Sequence, residues 1–259
     1  MTTPVEQAET VTRQAGEILL SLFNPSGSKS SRKSDRSIVT EADVAADRFI
    51  HETLKRITPD ANILSEELQT NLKESTTDLW VVDPLDGTTN FSLGLQHWGV
   101  SVAYFHAGEL EASAIFFPLL GEMYTASRGG GAFLNHQPIH ARPVYAGQPS
   151  SFFSCCSRTL RRYRISLPYK TRILGSAAYT LCSVARGIAV VGFEATPKLW
   201  DIAGGWLIVQ EAGGFVELFD KNQQFKIQPG VDYAAIIMPF LAAASPEALA
   251  RARSQIVPL

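Results

Sequence analysis

The chain of 259 residues lacks the marks of several common protein classes. It has only 3 cysteines, Cys155, Cys156 and Cys182, an odd number with two adjacent. That is no disulfide framework; it suits a reducing compartment, with the thiols as small buried hydrophobes. No apolar run approaches the ~20 residues a bilayer crossing takes, and the Ala-rich stretch 242–244 is far too short. The start, Met-Thr-Thr-Pro-Val-Glu-Gln-Ala-Glu, has neither the basic residues nor the apolar core of a signal peptide. The expectation is a soluble, cytoplasmic protein with no membrane partner. A net charge of −2 leaves no broad basic field, which argues against nucleic acid as the main partner. The 5 histidines are scattered; His136 and His140 share a turn-rich loop and are expected on the surface. His51-Glu52 is followed by Thr-Leu-Lys55, so the zinc-protease pattern fails. Gly-x-Ser-x-Gly does not occur, so the serine-nucleophile elbow is missing.

What is present points elsewhere. With 45% hydrophobic and 19% charged residues the chain is globular and long enough to bury a sizeable core. Its most informative stretch is Trp80-Val-Val-Asp83-Pro-Leu85-Asp86-Gly87-Thr88-Thr89-Asn90-Phe91. An apolar strand runs straight into two aspartates, then into Gly-Thr-Thr. Carboxylate and carbonyl oxygens are what magnesium prefers, often shared with a substrate phosphate. Asp83, Asp86 and the Leu85 carbonyl can grip such ions, and the Gly87 and Thr88 amides can face an anion. Asp-Pro and Asp-Gly are also ordinary turn chemistry, so the case depends on the motif's company.

Hydrophobic periodicity gives the organisation. Residues 5–23 place Val5, Ala8, Val11, Ala15, Ile18, Leu19 and Leu22 on one helical face. A polar loop, Pro25–Ser37, leads to a helix over Glu41–Ile57, capped by Thr40 and burying Ala46, Phe49, Ile50, Leu54 and Ile57. Strands are expected at Asn62–Leu64, Leu79–Asp83, Gly99–His106, Leu110–Phe117 and Gly121–Ser127. Gly129-Gly130-Gly131 reads as a turn, because no Gly-Lys-Ser/Thr ending or helix follows it. The Pro- and Gly-rich segment Arg142–Ser150 divides the chain into residues 1–143, an α+β half, and 144–259, an α/β half. The second half alternates: strands at Phe152–Cys156, Arg172–Leu174, Ile188–Phe193, Phe215–Leu218 and Tyr233–Ile237. Its helices are expected near Thr159 and at Ala177–Arg186, Asp201–Ala212 and Pro246–Ile256.

Three further segments supply what the aspartate turn needs. Ser65-Glu66-Glu67 ends a short strand, where Glu66 can complete a metal pair or polarise water; alone, it reads as a solvated pair. In Trp200-Asp201-Ile-Ala-Gly204-Gly205, Asp201 starts a helix, a place the helix dipole favours for any carboxylate. Gly204 and Gly205 each cost about 1 kcal/mol of helix stability relative to Ala, which suggests close packing of another backbone. Asp43 falls in the first turn of the second helix, with the same dipole alternative, and can accept a hydrogen bond from Thr88. Lys33 either reaches the site or solvates the loop.

Together these segments carry a resemblance. WVVDPLDGTTNF, with SEE upstream, WDIAGG and EAGG downstream and Val39-Thr-Glu-Ala-Asp43 before them, resembles the inositol monophosphatase family over almost the whole chain. The resemblance implies a layered αβαβα sandwich, a homodimer, and a magnesium-dependent, lithium-sensitive phosphatase acting on a small phosphorylated polyol or sugar. It implies two or three Mg2+ ions per site and in-line attack by metal-activated water. By position, Glu66, Asp83 and the Leu85 carbonyl match ligands of one ion; Asp83, Asp86 and Asp201 match those of another. Glu66 also faces a third. Thr88 and Asp43 match the pair that activates water, Gly87 and Thr88 the phosphate turn, and Ala177 and Glu194 polyol contacts.

Two departures stand out. Ser37 follows Lys33 where many relatives have Asp, with Asp35 nearby; Pro197 and Lys198 replace Gly and apolar residues. Asn90 and Glu194 make a myo-inositol monophosphate the first choice of substrate. Histidinol phosphate is the nearest alternative, because Asp35–Asp43 also resembles histidinol phosphatases, and sugar 1-phosphates and fructose 1,6-bisphosphate stay open. So does a regulatory binding protein that keeps the fold.

Overall fold

Helix starts are written into the sequence. In the computed structural model, which describes residues 2–32, 38–67, 77–142, 151–228 and 230–259, Thr3 caps α1 (Pro4–Leu22). Its hydroxyl accepts the Glu6 N–H, and the Glu6 carboxylate accepts the Thr3 N–H at 2.8 Å, the reciprocal bonding that fixes a helix entry. The helix buries Ala8, Val11, Ala15 and Leu19 as its periodicity requires, but Leu22 is exposed. Ser31–Arg32 (β1) and Ile38–Val39 (β2) pair antiparallel. Lys33, Asp35 and Ser37 lie outside the described residues. Thr40 opens α2 (Glu41–Ile57), with the expected bounds; Ala46, Ile50 and Leu54 are buried, whereas Ile57 at the frayed end is exposed.

A seven-stranded sheet follows in near-sequential order. Its members are β3 (Asn62–Ser65), β4 (Asp78–Asp86), β5 (Gly99–His106), β6 (Glu109–Phe117), β7 (Glu122–Ser127), β8 (Gly131–Leu134) and β9 (Gln137–Pro138), with α3 (Thr88–Ser92) between β4 and β5. Only β3 and β4 run parallel; the rest are antiparallel. The triglycine turn joins β7 to β8, as expected, and the Gly129 and Gly131 amides donate to the Glu211 carboxylate, each at 2.9 Å. The boundary expected near residue 143 falls on residues 143–150, outside those described.

The remainder contributes β10 (Phe152–Cys155), α4 (Thr159–Arg162), β11 (Tyr163–Ile165), β12 (Lys170–Arg172), α5 (Ala177–Ala185), β13 (Ala189–Glu194) and α6 (Leu199–Glu211). Then come β14 (Phe215–Leu218), β15 (Phe240–Ala243), α7 (Pro246–Gln255) and β16 (Ile256–Pro258). A five-stranded sheet has the order β12-β10-β13-β15-β14; its first three strands are parallel and β15 is antiparallel to both neighbours. Strand β11 pairs with β16 outside it.

Three apolar clusters hold five layers together. On one face of the large sheet, α1 and α2 bury Leu19, Ile50, Trp80 and Val82. Between the sheets, α5 and α6 pack Leu181, Ile202 and Ile208 against Val81, Phe117 and Phe240. Outside the small sheet, α7 covers Phe153, Val191 and Leu241. Each such side chain contributes roughly 1.5–3 kcal/mol of transfer free energy. The Leu79-Trp-Val-Val run of β4 alternates between the first two interfaces, which is why it is continuously apolar. The expected αβαβα sandwich is the architecture found.

Several expectations need correction. Tyr233–Ile237 forms no strand; the fifth strand is Phe240–Ala243, whose small alanines fit a fully buried position that β-propensity ranks poorly. The strand expected at Arg172–Leu174 lies at Lys170–Arg172, because residues 173–175 turn toward α5. Helix α6 begins at Leu199, two residues before Asp201. Its Gly204 and Gly205 make room for side chains rather than for a backbone. An added Cβ would lie 2.5 Å from Leu181 Cδ1 at Gly205, and against Ser101 Oγ at Gly204.

Candidate active site

A local irregularity in β4 aims its two aspartates. Side chains three apart on a regular strand point to opposite faces. Here the pairing slips: Asp83 faces Ser101 and Asp86 faces Gly99, so β4 holds one extra residue around Pro84. Such a bulge turns a strand and re-aims its side chains. Both carboxylates then reach the same acidic cluster. Carboxylate oxygens of Glu66, Asp83 and Asp201 all lie within 4.8 Å of one another, brought from the end of β3, from β4 and from the first turn of α6.

Each acid also has a structural partner. Asp83 accepts the Leu85 N–H at 3.1 Å and shares a hydrogen bond with Asp201. The Asp201 carboxylate accepts the Lys198 N–H at 2.7 Å, capping α6. Asp86 sits at the start of α5, where Ser176 Oγ and the Ala177 N–H (3.1 Å) both donate to it. Ser176 is itself the cap of α5, accepting the Tyr179 N–H at 2.9 Å. Capping and clustering therefore coexist at Asp201; the two readings of that residue are not rivals.

Electrostatics follow from this crowding. Burial, then Glu66, Asp86 and Asp201, pushes the Asp83 carboxyl well above the usual carboxylate range. Burial raises Asp86 to about 7 against opposing hydrogen bonds from Ser176, Ala177 and Ala178. Asp201 is likewise raised to about 7 by burial, opposed by the Lys198 N–H and raised further by Asp86. Buried carboxylates held this close call for a multivalent cation. The donors are all hard oxygens, with no His or Cys in the cluster, a set suited to magnesium.

Beside the acids, Thr88 Oγ1 lies 3.0 Å from Asp43 Oδ1 and 3.0 Å from the Leu85 carbonyl. One hydroxyl proton serves one acceptor at a time. Asp43 is buried, which raises its pKa, while its bonds from Thr40 N–H (2.7 Å), Thr40 Oγ1 and Thr88 oppose the rise. The turn between β4 and α3 requires Gly87: its φ is +89°, and an added Cβ would sit 2.7 Å from the His97 carbonyl oxygen.

A cavity of about 430 Å3 opens beside the acids, lined among others by Asp86, Asp201, Glu194, Ala177, Cys156 and Arg158. Glu194 is buried and accepts from Thr180 Oγ1 at 3.0 Å. Burial and then Cys156 push its carboxyl well above the usual carboxylate range. Asn90 donates to the His97 carbonyl (2.6 Å) and the Leu174 carbonyl (2.8 Å), tying α3 to the loop before α5. The structure thus brings Glu66, Asp83, Leu85, Asp86 and Asp201 together, sets Thr88 and Asp43 beside them, and puts Ala177 and Glu194 on the cavity wall. Sequence reasoning missed Ser176, Thr180 and Arg158. Only Ser176 carried a signal, as a serine opening a helical run. The expectation of buried cysteines holds for Cys155 and Cys182, whereas Cys156 is half-buried on the cavity wall. His136 and His140 are exposed, as expected. Among the described residues no helix is long and apolar enough to cross a membrane.

Known proteins are similar to this chain over most of its length. The chain is 38% identical over 217 residues to the Nus factor SuhB of Xylella fastidiosa, covering 79% of this chain and 78% of that one. It is 34% identical over 218 residues to the fructose-1,6-bisphosphatase/inositol-1-monophosphatase of Thermotoga maritima, covering 82% and 83%. The solved Thermotoga maritima IMPase superposes with a TM-score of 0.77 at 28% identity, covering 95% of each chain. Residues 1–257 match the inositol monophosphatase family, and with the acidic cluster in place the chain belongs to that family of phosphoric monoester hydrolases.

Proposed function

We propose that the protein hydrolyses the phosphate monoester of a small polyol, with a myo-inositol monophosphate as first choice, in the cytoplasm and as a homodimer. The observation that carries this reading is the convergence of Glu66, Asp83 and Asp201 within 4.8 Å, next to the hydroxyl of Thr88. Glu66, Asp83, the Leu85 carbonyl, Asp86 and Asp201 would hold two or three magnesium ions, which neutralise phosphate charge and make water a better nucleophile. Thr88 then orients that water. When its hydroxyl proton is donated to Asp43 Oδ1, its lone pairs are free to accept the water's hydrogen, and Asp43 is the eventual proton store. The Gly87 and Thr88 amides would face the phosphate. On the cavity wall, Glu194 presents a buried carboxyl that can hydrogen-bond a polyol hydroxyl.

Phosphate release with magnesium from myo-inositol 1-phosphate, histidinol phosphate, glucose 1-phosphate and fructose 1,6-bisphosphate tests the choice. The inositol ester should give the highest kcat/KM, inhibited by lithium at millimolar levels. A strong preference for histidinol phosphate, or indifference to lithium, would overturn it. A second reading, a regulatory role of the SuhB kind, is favoured by the 38% identity to the Xylella Nus factor. The complete ligand set weighs for the enzyme; a cellular role that survives Asp86→Asn would weigh for regulation.

A further inference from the structure

Glu194 closes β13 and lines the cavity beside the acidic cluster, yet it is buried and held from two sides. Thr180 Oγ1 donates to its Oε1 at 3.0 Å, and the Cys156 thiol shares a hydrogen bond with its carboxyl. Behind Thr180 lies a second hydroxyl, Ser154 Oγ, 2.9 Å from Thr180 Oγ1. Ser154 and Thr180 are both fully buried. A threonine hydroxyl has one proton to give. The Ser176 carbonyl, 3.1 Å from Thr180 Oγ1, already accepts the Thr180 N–H at 3.1 Å. The hydroxyl proton is therefore available to the carboxyl, and Ser154 donates to a Thr180 lone pair. The result is a directional chain from Ser154 through Thr180 to Glu194.

Two locally unfavourable residues make that chain possible. A β-branched threonine inside a helix loses side-chain freedom, and its hydroxyl is costly to bury; valine would fill the same space. Gly192 sits inside β13, where glycine weakens a strand and marks a close approach. Its φ is not positive, so the requirement is space. An added Cβ would lie 2.8 Å from Thr180 Cγ2 and 3.3 Å from Val184 Cγ2. A helix residue and a strand residue thus depart from local preference at one spot, as expected where function sets the choice. Thr180 also lies one turn beyond Ser176, on the same face of α5. Ser176 holds Asp86 and Thr180 holds Glu194, so a single helix turn spaces the acidic cluster from the cavity wall.

We propose, on the reading of the site as a polyol phosphatase, that Thr180 and Cys156 are positioning residues that set substrate preference: together they clamp Glu194 in the orientation in which its carboxyl meets a ring hydroxyl of the substrate. A carboxyl clamped on two sides keeps its geometry as ligands enter. Binding then depends on where the substrate places its hydroxyls.

Steady-state kinetics with magnesium on two esters tests the clamp: myo-inositol 1-phosphate, which has ring hydroxyls, and 4-nitrophenyl phosphate, which has none. Thr180→Val keeps the volume and removes the hydroxyl. It should raise KM for the inositol ester roughly tenfold with kcat within about twofold, and affect 4-nitrophenyl phosphate far less. Thr180→Ser should restore the wild-type values. Cys156→Ala, on the half-buried cavity wall, should shift KM in the same sense, and gives the reading if Thr180→Val fails to fold. Combined with Glu194→Ala, Thr180→Val should add nothing to the loss that Glu194→Ala causes alone. Equal losses on both esters, a Thr180→Ser variant no better than valine, or full additivity with Glu194→Ala would overturn the clamp and leave the phosphatase reading standing. An unchanged KM for the inositol ester in Glu194→Ala would remove Glu194 from the polyol site, and the clamp with it. Absence of phosphate release from either ester would overturn the phosphatase reading and the clamp together.

Discussion

Replacing Asp86 with asparagine should end phosphate release and yet stabilise the metal-free protein at alkaline pH. The Asp86 carboxyl titrates near 7 in the folded chain, against an ordinary 3.8. Folding therefore favours the neutral acid. Stability from this group is full below about pH 4 and is lost as pH rises through about 7. A difference of roughly 3 units at about 1.4 kcal/mol each makes the ionised carboxylate cost roughly 4 kcal/mol above pH 8. Asparagine mimics the neutral acid at every pH. Its Oδ1 can accept the Ala177 N–H and its Nδ2 can donate to Ser176 Oγ, the two partners Asp86 uses. In chelator, the variant and wild type should melt together near pH 3.5, and the variant should melt roughly 8 °C higher near pH 8.5. Magnesium should raise the melting temperature of the wild type and do far less for the variant. Calorimetry at the two pH values, with and without metal, reads all of this. Equal destabilisation of Asp86→Asn at both values, or a variant that keeps its turnover, would refute the reasoning.

Two other outcomes follow from the same geometry. Because Asp86 and Asp201 both titrate near 7 without metal, magnesium binding should release protons and weaken progressively below about pH 7. Calorimetric titration in buffers of different ionisation enthalpy measures that release, and none at pH 6 would contradict the cluster. Thr88→Ala removes the hydroxyl shared by Asp43 and Leu85; it should lower kcat by roughly a hundredfold or more with little change in KM. A change confined to KM would assign Thr88 to binding instead.

How far the fold could be read depended on signals that stay local. Helix α2 and strand β5 were placed residue for residue, because Thr40 marks a start and turn residues bound the strand. Strand β15 was not, since Phe-Leu-Ala-Ala has no alternation and half of it is alanine; burial between β13 and β14 makes it a strand. The pairing of β11 with β16 joins residues nearly a hundred positions apart, and no local pattern encodes it. In the site, Ser176 looked like a helix cap and nothing more, although it also holds Asp86. Arg158 had no motif; its place on the cavity wall, as the one cation there among the described residues, comes from the turn after β10.

The sequence alone determined the ligand chemistry: Glu66, Asp83, Asp86 and Asp201 are hard oxygen donors placed at the ends of recognisable elements, and residue type fixes which ion they suit. It also determined the layers, because β4 is apolar on both faces, α1 and α2 on one, and α5 and α6 nearly all round. Only the tertiary structure decided that these acids meet. Asp83 and Asp86 share a cluster because β4 bulges around Pro84, and Asp201 joins them because α6 is wedged between two sheets. Convergence depends on long-range packing, and so does the rise of two carboxyls to about 7. A carboxylate exposed on an unfolded chain has neither buried neighbours nor a reason to keep its proton.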